Sequence, residues 1–131
     1  MTRAPIALPG QIVIFDYGEV ISLTPSAADR DTRLALLSNA GPDFGSYFRH
    51  GPLGDFFTAC YVSGELGLLK PQPEIYQHVL DDLGISAAEA VFIDNREANV
   101  RGAQALGITG HLFTDVTALR TFLALRLLGL Q

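Results

Sequence analysis

The feature that most constrains this chain is a four-residue apolar run, Ile12-Val13-Ile14-Phe15, that ends on the carboxylate of Asp16. A short, unalternating and largely β-branched run suits a strand buried on both faces, as in a parallel sheet covered by helices. Ligands of open α/β sheets bind beyond the carboxyl ends of the strands, so an acid at that exit is placed for chemistry. Taken alone, an Asp there serves equally well to turn the chain.

The same pattern recurs. Residues 34–37 are apolar and lead into Ser38-Asn39-Ala40-Gly41; residues 56–62 predict a third strand; residues 90–93 lead into Asp94-Asn95; and residues 108–113 contain a fifth strand. Helical signals fall between them. Residues 42–49 suit a short helix. Pro73 opens a helix that runs to about Leu83, with Ile75, Val79, Leu80 and Leu83 on one face and Gly84 as its stop. Ser86 and Glu89 have capping-box spacing, residues 97–106 are helical up to Gly107, and Asp115 caps a last amphipathic helix through Leu128. Ser63 to Leu69 is a glycine-rich connector that delivers Lys70-Pro71. This alternation predicts an α/β fold in a single domain over residues 1–131. The expected core is a doubly wound, parallel five-stranded sheet in three α/β/α layers.

Composition narrows the function. The formal net charge is -5, and no Lys/Arg cluster exceeds a pair, which argues against a nucleic-acid surface. A phosphorylated small molecule is compatible, because a pocket can be locally positive on an acidic protein. One cysteine, Cys60, excludes an intramolecular disulfide and reads as a small buried hydrophobe. The N-terminal segment is broken by Pro5 and Pro9 and does not read as a secretion signal, so the expected location is cytoplasmic. The greasiest stretch, residues 122–130, is interrupted by Arg126 and is well short of the about 20 residues of a membrane helix. His50, His78 and His111 lack metal-ligand spacing.

Four polar stations remain: Asp16, Ser38, Lys70 and Asp94. In a parallel sheet Asp16, Ser38 and Asp94 share one edge. Two carboxylates there repel each other unless a divalent cation intervenes, and Mg²⁺ suits such oxygen donors together with phosphate. Lys70 would offset phosphoryl charge, while Ser38 and the amide of Asn39 would donate to phosphoryl oxygens.

The local sequences are specific enough to name a resemblance. IVIFDYGEVI, LALLSNA, GELGLLKPQPEIY and VFIDNREANVRGA resemble, in order, the four motifs of the haloacid dehalogenase (HAD) superfamily of hydrolases. The receiver domain of bacterial signalling is rejected by order, since its Lys-Pro follows its acids whereas Lys70-Pro71 precedes Asp94. The resemblance implies phosphoryl transfer with Asp16 as nucleophile and Lys70 as its catalytic cation. It also implies Ser38 and Asn39 as phosphate-binding residues, and Mg²⁺ held by Asp16, the carbonyl of Gly18 and Asp94. Arg96 is the better of the two arginines after Asp94 for a phosphate contact.

Departures from the family pattern qualify that expectation. Many family phosphatases carry a second acid where Gly18 stands; Glu19 follows one residue later. Loss of general acid-base help costs about 10² to 10⁴ in rate. Asn95 replaces a common second acid and can hold a metal-bound water. Only 22 positions separate Asp16 from Ser38, so no cap domain is expected. The ten residues from Leu23 to Thr32 are too few for a full crossover helix, which predicts a partly uncovered sheet face and a homodimer that buries it. The leading function is a slow Mg²⁺-dependent phosphatase acting on a phosphorylated small molecule or phosphoprotein. The alternative is a non-catalytic HAD-like module that binds metal, phosphate or a protein. Dehalogenation is disfavoured without a cap.

Overall fold

The computed structural model describes residues 12–16, 33–52 and 54–127. In chain order the elements are β1 (Ile12–Phe15), β2 (Arg33–Ser38), α1 (Pro42–Arg49), β3 (Ala59–Val62), α2 (Ser63–Leu66), α3 (Pro73–Leu83), β4 (Ala90–Asp94), α4 (Glu97–Gln104), β5 (Thr109–Leu112) and α5 (Val116–Leu127). The sheet has the order β3-β2-β1-β4-β5, and every pairing is parallel. The chain builds outward from β1 through β2 to β3, then returns to β4 on its other side. The switch point of the sheet therefore lies between β1 and β4, where a crevice opens at the strands' carboxyl ends.

Local chemistry explains the element boundaries. Pro73 starts α3 with its missing N–H at a position that has no helical partner, and Gly84 ends it in the left-handed conformation at φ 69°. Ser86 and Glu89 form the expected reciprocal capping box ahead of β4, and Asp115 Oδ1 accepts from Ala118 N at 2.8 Å at the start of α5. Two expectations need correction. The third strand is shorter than residues 56–62, because Gly54–Phe56 forms a 3-10 turn and the Phe57 ring packs edge-on against Phe48 and Phe15. The connector before Lys70 contains a helical turn, α2, closed by Gly67 at φ 72°.

Each sheet face has its own core. Ile12, Ile14, Ala35, Leu37 and Phe92 pack against Ile75, Tyr76, Val79 and Leu80 of α3 and Ala103 of α4. On the opposite face Val13, Phe15, Leu34, Val91 and Ile93 pack against Leu119 of α5, with Phe57, Phe113, Phe122 and Leu123 around them. These contacts produce the three layers. They also correct the expectation of an open face. Val13, Phe15 and Leu34 are buried within the one chain, in a cluster with Leu119 of α5. The homodimer loses the exposed face that motivated it. The 23–32 connection itself lies outside the described residues, and no described helix is long and apolar enough to cross a membrane.

Candidate active site

The register places the two carboxylates side by side. Phe15 pairs with Ile93, and the next residue, Asp16, donates its backbone N–H to Ile93 O at 3.0 Å. Asp16 and Asp94 thus flank the crevice at the switch point. Asp94 is fully buried and well supplied with donors. Its Oδ1 accepts from Arg96 N at 2.9 Å, and its Oδ2 accepts from Asn99 Nδ2 at 3.1 Å. A buried carboxylate requires such partners, since leaving one unpaired costs several kcal/mol.

Lys70 completes the group. Its Nζ donates to Asp16 Oδ1, to Asp94 Oδ2 and to Leu37 O, each at 2.8 Å. It also lies over the Phe92 ring, 5.6 Å from the centroid, a cation–π distance. One ammonium between two carboxylates leaves a formal charge of about -1, held where water is scarce. Tyr76 is buried against Phe92 and donates its hydroxyl to Asn99 O at 2.7 Å. Burial, reinforced by the charge of Asp94, pushes its phenol pKa up, so it remains a donor.

The exit of β2 supplies the remaining stations. Ser38 is buried at the strand end. The side chain of Asn39 turns to Lys70, accepting from its N–H at 2.9 Å and donating to its carbonyl at 3.1 Å. Ser63, buried at the start of α2, fastens the same loop: its Oγ accepts from Ala40 N at 2.9 Å and donates to Ala40 O at 3.1 Å.

Asp16, Ser38, Asn39, Lys70 and Asp94 therefore gather at one edge, as their order in the sequence suggested. Gly18, Glu19 and Tyr17 lie outside the described residues. Asn95 is exposed, and Arg96 is exposed as well, contributing its backbone N–H to Asp94. Asn99, which suits a turn or helix-start role and a direct role about equally by its place in the sequence, serves the site directly here, and Ser63 and Tyr76 carry no local sequence signal for theirs. The spacing of Asp94 and Asn99 across a strand-to-helix loop was the available signal for Asn99. Ser63 meets Ala40 across 23 positions, which no local pattern reveals.

The donor set suits a hard divalent cation. Asp16 and Asp94 offer carboxylate oxygens at the ends of adjacent strands, the charge of the Asp16–Lys70–Asp94 group is negative, and among the described residues neither thiol nor imidazole joins it. No cluster of three His, Cys, Asp or Glu occurs among the described residues, so the described acids fit a site completed by carbonyl, water or phosphate oxygens rather than an all-protein cage.

A doubly wound sheet with two acids and a buried lysine at its switch point, the lysine preceding the second acid in the chain, has the arrangement of a HAD-like core. The haloacid dehalogenase-like hydrolase family matches residues 12–107, and the chain belongs to that family. It is 42% identical over 64 residues to the sesquiterpene phosphatase astK of Aspergillus oryzae, covering 49% of this chain and 33% of that protein. It is 34% identical over 94 residues to the phosphoserine phosphatase of Thermus thermophilus, covering 70% and 38%. The chain spans about one third of the length of these curated relatives. Among solved structures, an uncharacterized protein from Corynebacterium glutamicum superposes with a TM-score of 0.77 at 25% identity, covering 92% of this chain and 96% of that one. A HAD family enzyme from Bacteroides thetaiotaomicron, an Asp-to-Ala mutant in complex with magnesium and inorganic phosphate, superposes with a TM-score of 0.59 at 32% identity, covering 68% and 51%.

Proposed function

We propose that this chain is a Mg²⁺-dependent phosphatase that hydrolyses a phosphorylated small molecule through Asp16. The observation that carries the reading is the single ammonium of Lys70 lying 2.8 Å from both Asp16 and Asp94. The magnesium complex of the Bacteroides structure and the phosphatase names of the relatives support it. Asp16, Asp94 and the carbonyl of Gly18 would hold the ion, with Asn95 able to hold a water of its shell. Bound there, Mg²⁺ would neutralise charge on the phosphoryl oxygens.

In the proposed reaction a carboxylate oxygen of Asp16 attacks phosphorus in line, forming an Asp16–phosphate bond as the bond to the leaving oxygen breaks. Water then attacks phosphorus, the Asp16–phosphate bond breaks, the carboxylate is regenerated, and inorganic phosphate leaves. Lys70 orients Asp16 and offsets the charge that builds on the transferred group, while the Ser38 hydroxyl and the Asn39 backbone amide donate to its oxygens. The leaving oxygen must take up a proton. Glu19 is the nearest acid in sequence to the position that Gly18 leaves empty, and without an effective acid the rate falls by about 10² to 10⁴.

An aryl phosphate, whose leaving group needs little protonation, is the appropriate assay. Wild type with Mg²⁺ is expected to turn over, and Asp16→Asn to fall to background. Equal background rates in both proteins refute the hydrolase. A Mg²⁺-dependent rise in melting temperature would then favour a binding module in the same site.

A further inference from the structure

Asn39 stands one residue beyond the end of β2, beside the proposed phosphate ligand Ser38. Both ends of its side-chain amide are nevertheless spent on one neighbour, 31 positions away: Oδ1 accepts from Lys70 N, and Nδ2 donates to Lys70 O. Two residues earlier, Leu37 O accepts from Lys70 Nζ. The exit of β2 thus grips Lys70 at its backbone and at its ammonium. The preceding residue is also tied down, since Leu69 N donates to Gln72 Oε1 and Gln72 N donates to Leu69 O, both at 2.7 Å.

We propose that the Asn39 side chain is a positioning residue for Lys70: it fixes the backbone from which the ammonium reaches Asp16 and Asp94, and it is not a ligand of the substrate. The chemistry of the contact selects asparagine. Serving a backbone N–H and a backbone C=O together needs one acceptor and one donor on a short planar group. Aspartate has no donor and sets a second oxygen against the Lys70 carbonyl. Alanine leaves both backbone groups without their partner. Geometry at a catalytic centre is unforgiving, and a misplacement of about 1 Å can cost about 10² in rate.

Lys70 is the only lysine in the chain, and it is buried, with 5% of its surface exposed. Acylation of its amine by an N-hydroxysuccinimide ester, followed at the Lys70 peptide by mass spectrometry, therefore reads its seating without reference to activity. Wild-type Lys70 is expected to be protected, and Asn39→Ala to label about tenfold faster, the effect of losing roughly one net hydrogen bond's worth of local stability. With the aryl phosphate, kcat in Asn39→Ala should fall by about 10- to 100-fold while KM stays within about threefold. Unchanged labelling, or a rise in KM with kcat preserved, overturns the proposal. Should Asn39→Ala fail to fold, the isosteric Asn39→Asp is measured in the same way. In the wild type itself, rapid hydrogen exchange at the Lys70 amide overturns the proposal. The kinetic arm rests on the phosphatase reading; the labelling and exchange arms do not. Background activity in wild type would thus remove the phosphatase and leave the positioning role to be decided by labelling.

Discussion

Lys70 Nζ lies 2.8 Å from Asp94 Oδ2, and both side chains are closed to solvent, at 1% and 0% exposure. Such a pair stabilises a fold little by comparison with well-packed apolar residues, but losing one partner strands the other's charge. Lys70→Met keeps the aliphatic stem over Phe92 and removes the ammonium. It is expected to cost about 3–5 kcal/mol, read by equilibrium urea denaturation. A cost below about 1 kcal/mol would mean that Arg96 N and Asn99 suffice to hold Asp94.

The same carboxylate should govern the cation. Wild type is expected to melt at a higher temperature with millimolar Mg²⁺ than without, because a ligand that binds only the native state stabilises it. Asp94→Asn should abolish that increment. A Mg²⁺ response that survives the substitution would place the ion elsewhere.

His111 supplies a pH dependence. Its ring stacks on Phe122 of α5 with centroids 4.4 Å apart, and its Nε2 is buried with no hydrogen-bond partner among the described residues. Burial lowers its pKa below the ordinary 6.5. The unfolded chain therefore takes up a proton before the native one, so this contribution to stability is complete above about pH 6.5 and is lost as pH falls toward the lower native value. His111→Phe should flatten that part of the stability curve in urea titrations between about pH 7 and pH 5. An unchanged slope would assign the dependence to other groups.

The loop that carries Ser38 and Asn39 is gripped by α2. A Cβ on Gly64 would lie 2.5 Å from Pro42 N and 2.7 Å from Gly41 C, both backbone atoms that cannot yield cheaply. Gly64→Ala should force that loop away and destabilise by about 1–3 kcal/mol, the range typical of overpacking. Ser63→Ala, which strips both bonds to Ala40, should cost about 1–3 kcal/mol. If thermal melting shows neither effect, the loop is held by contacts other than α2.

Much of this arrangement was legible in the sequence. The apolar runs ending at Asp16, Ser38 and Asp94 identified strands and their chemically loaded exits, because a strand buried on both faces needs an unbroken apolar stretch and a polar residue can follow only where the strand leaves the core. Pro73, Gly84, the Ser86–Glu89 box and Asp115 marked helix ends through backbone chemistry that acts within a few residues. Helices alternating with strands implied a parallel sheet, and the order of stations implied a shared edge.

The rest depended on contacts between distant residues. That Asn39 turns to Lys70, that Ser63 fastens Ala40, and that the Asn99 side chain joins the Arg96 N–H in supporting Asp94 follow from residues meeting across 31, 23 and 5 positions. The short β1-to-β2 connection implied an open sheet face, yet Leu119, Phe122 and Leu123 lie against that face. Which helix covers which face is decided by where the chain returns after β5. Sequence alone determined the strands apart from the start of β3, the acids at the exits of β1 and β4, and the family to which they belong. Tertiary structure decided how Lys70 is seated and what closes the second face, because those outcomes turn on three-dimensional proximity that local pattern does not encode.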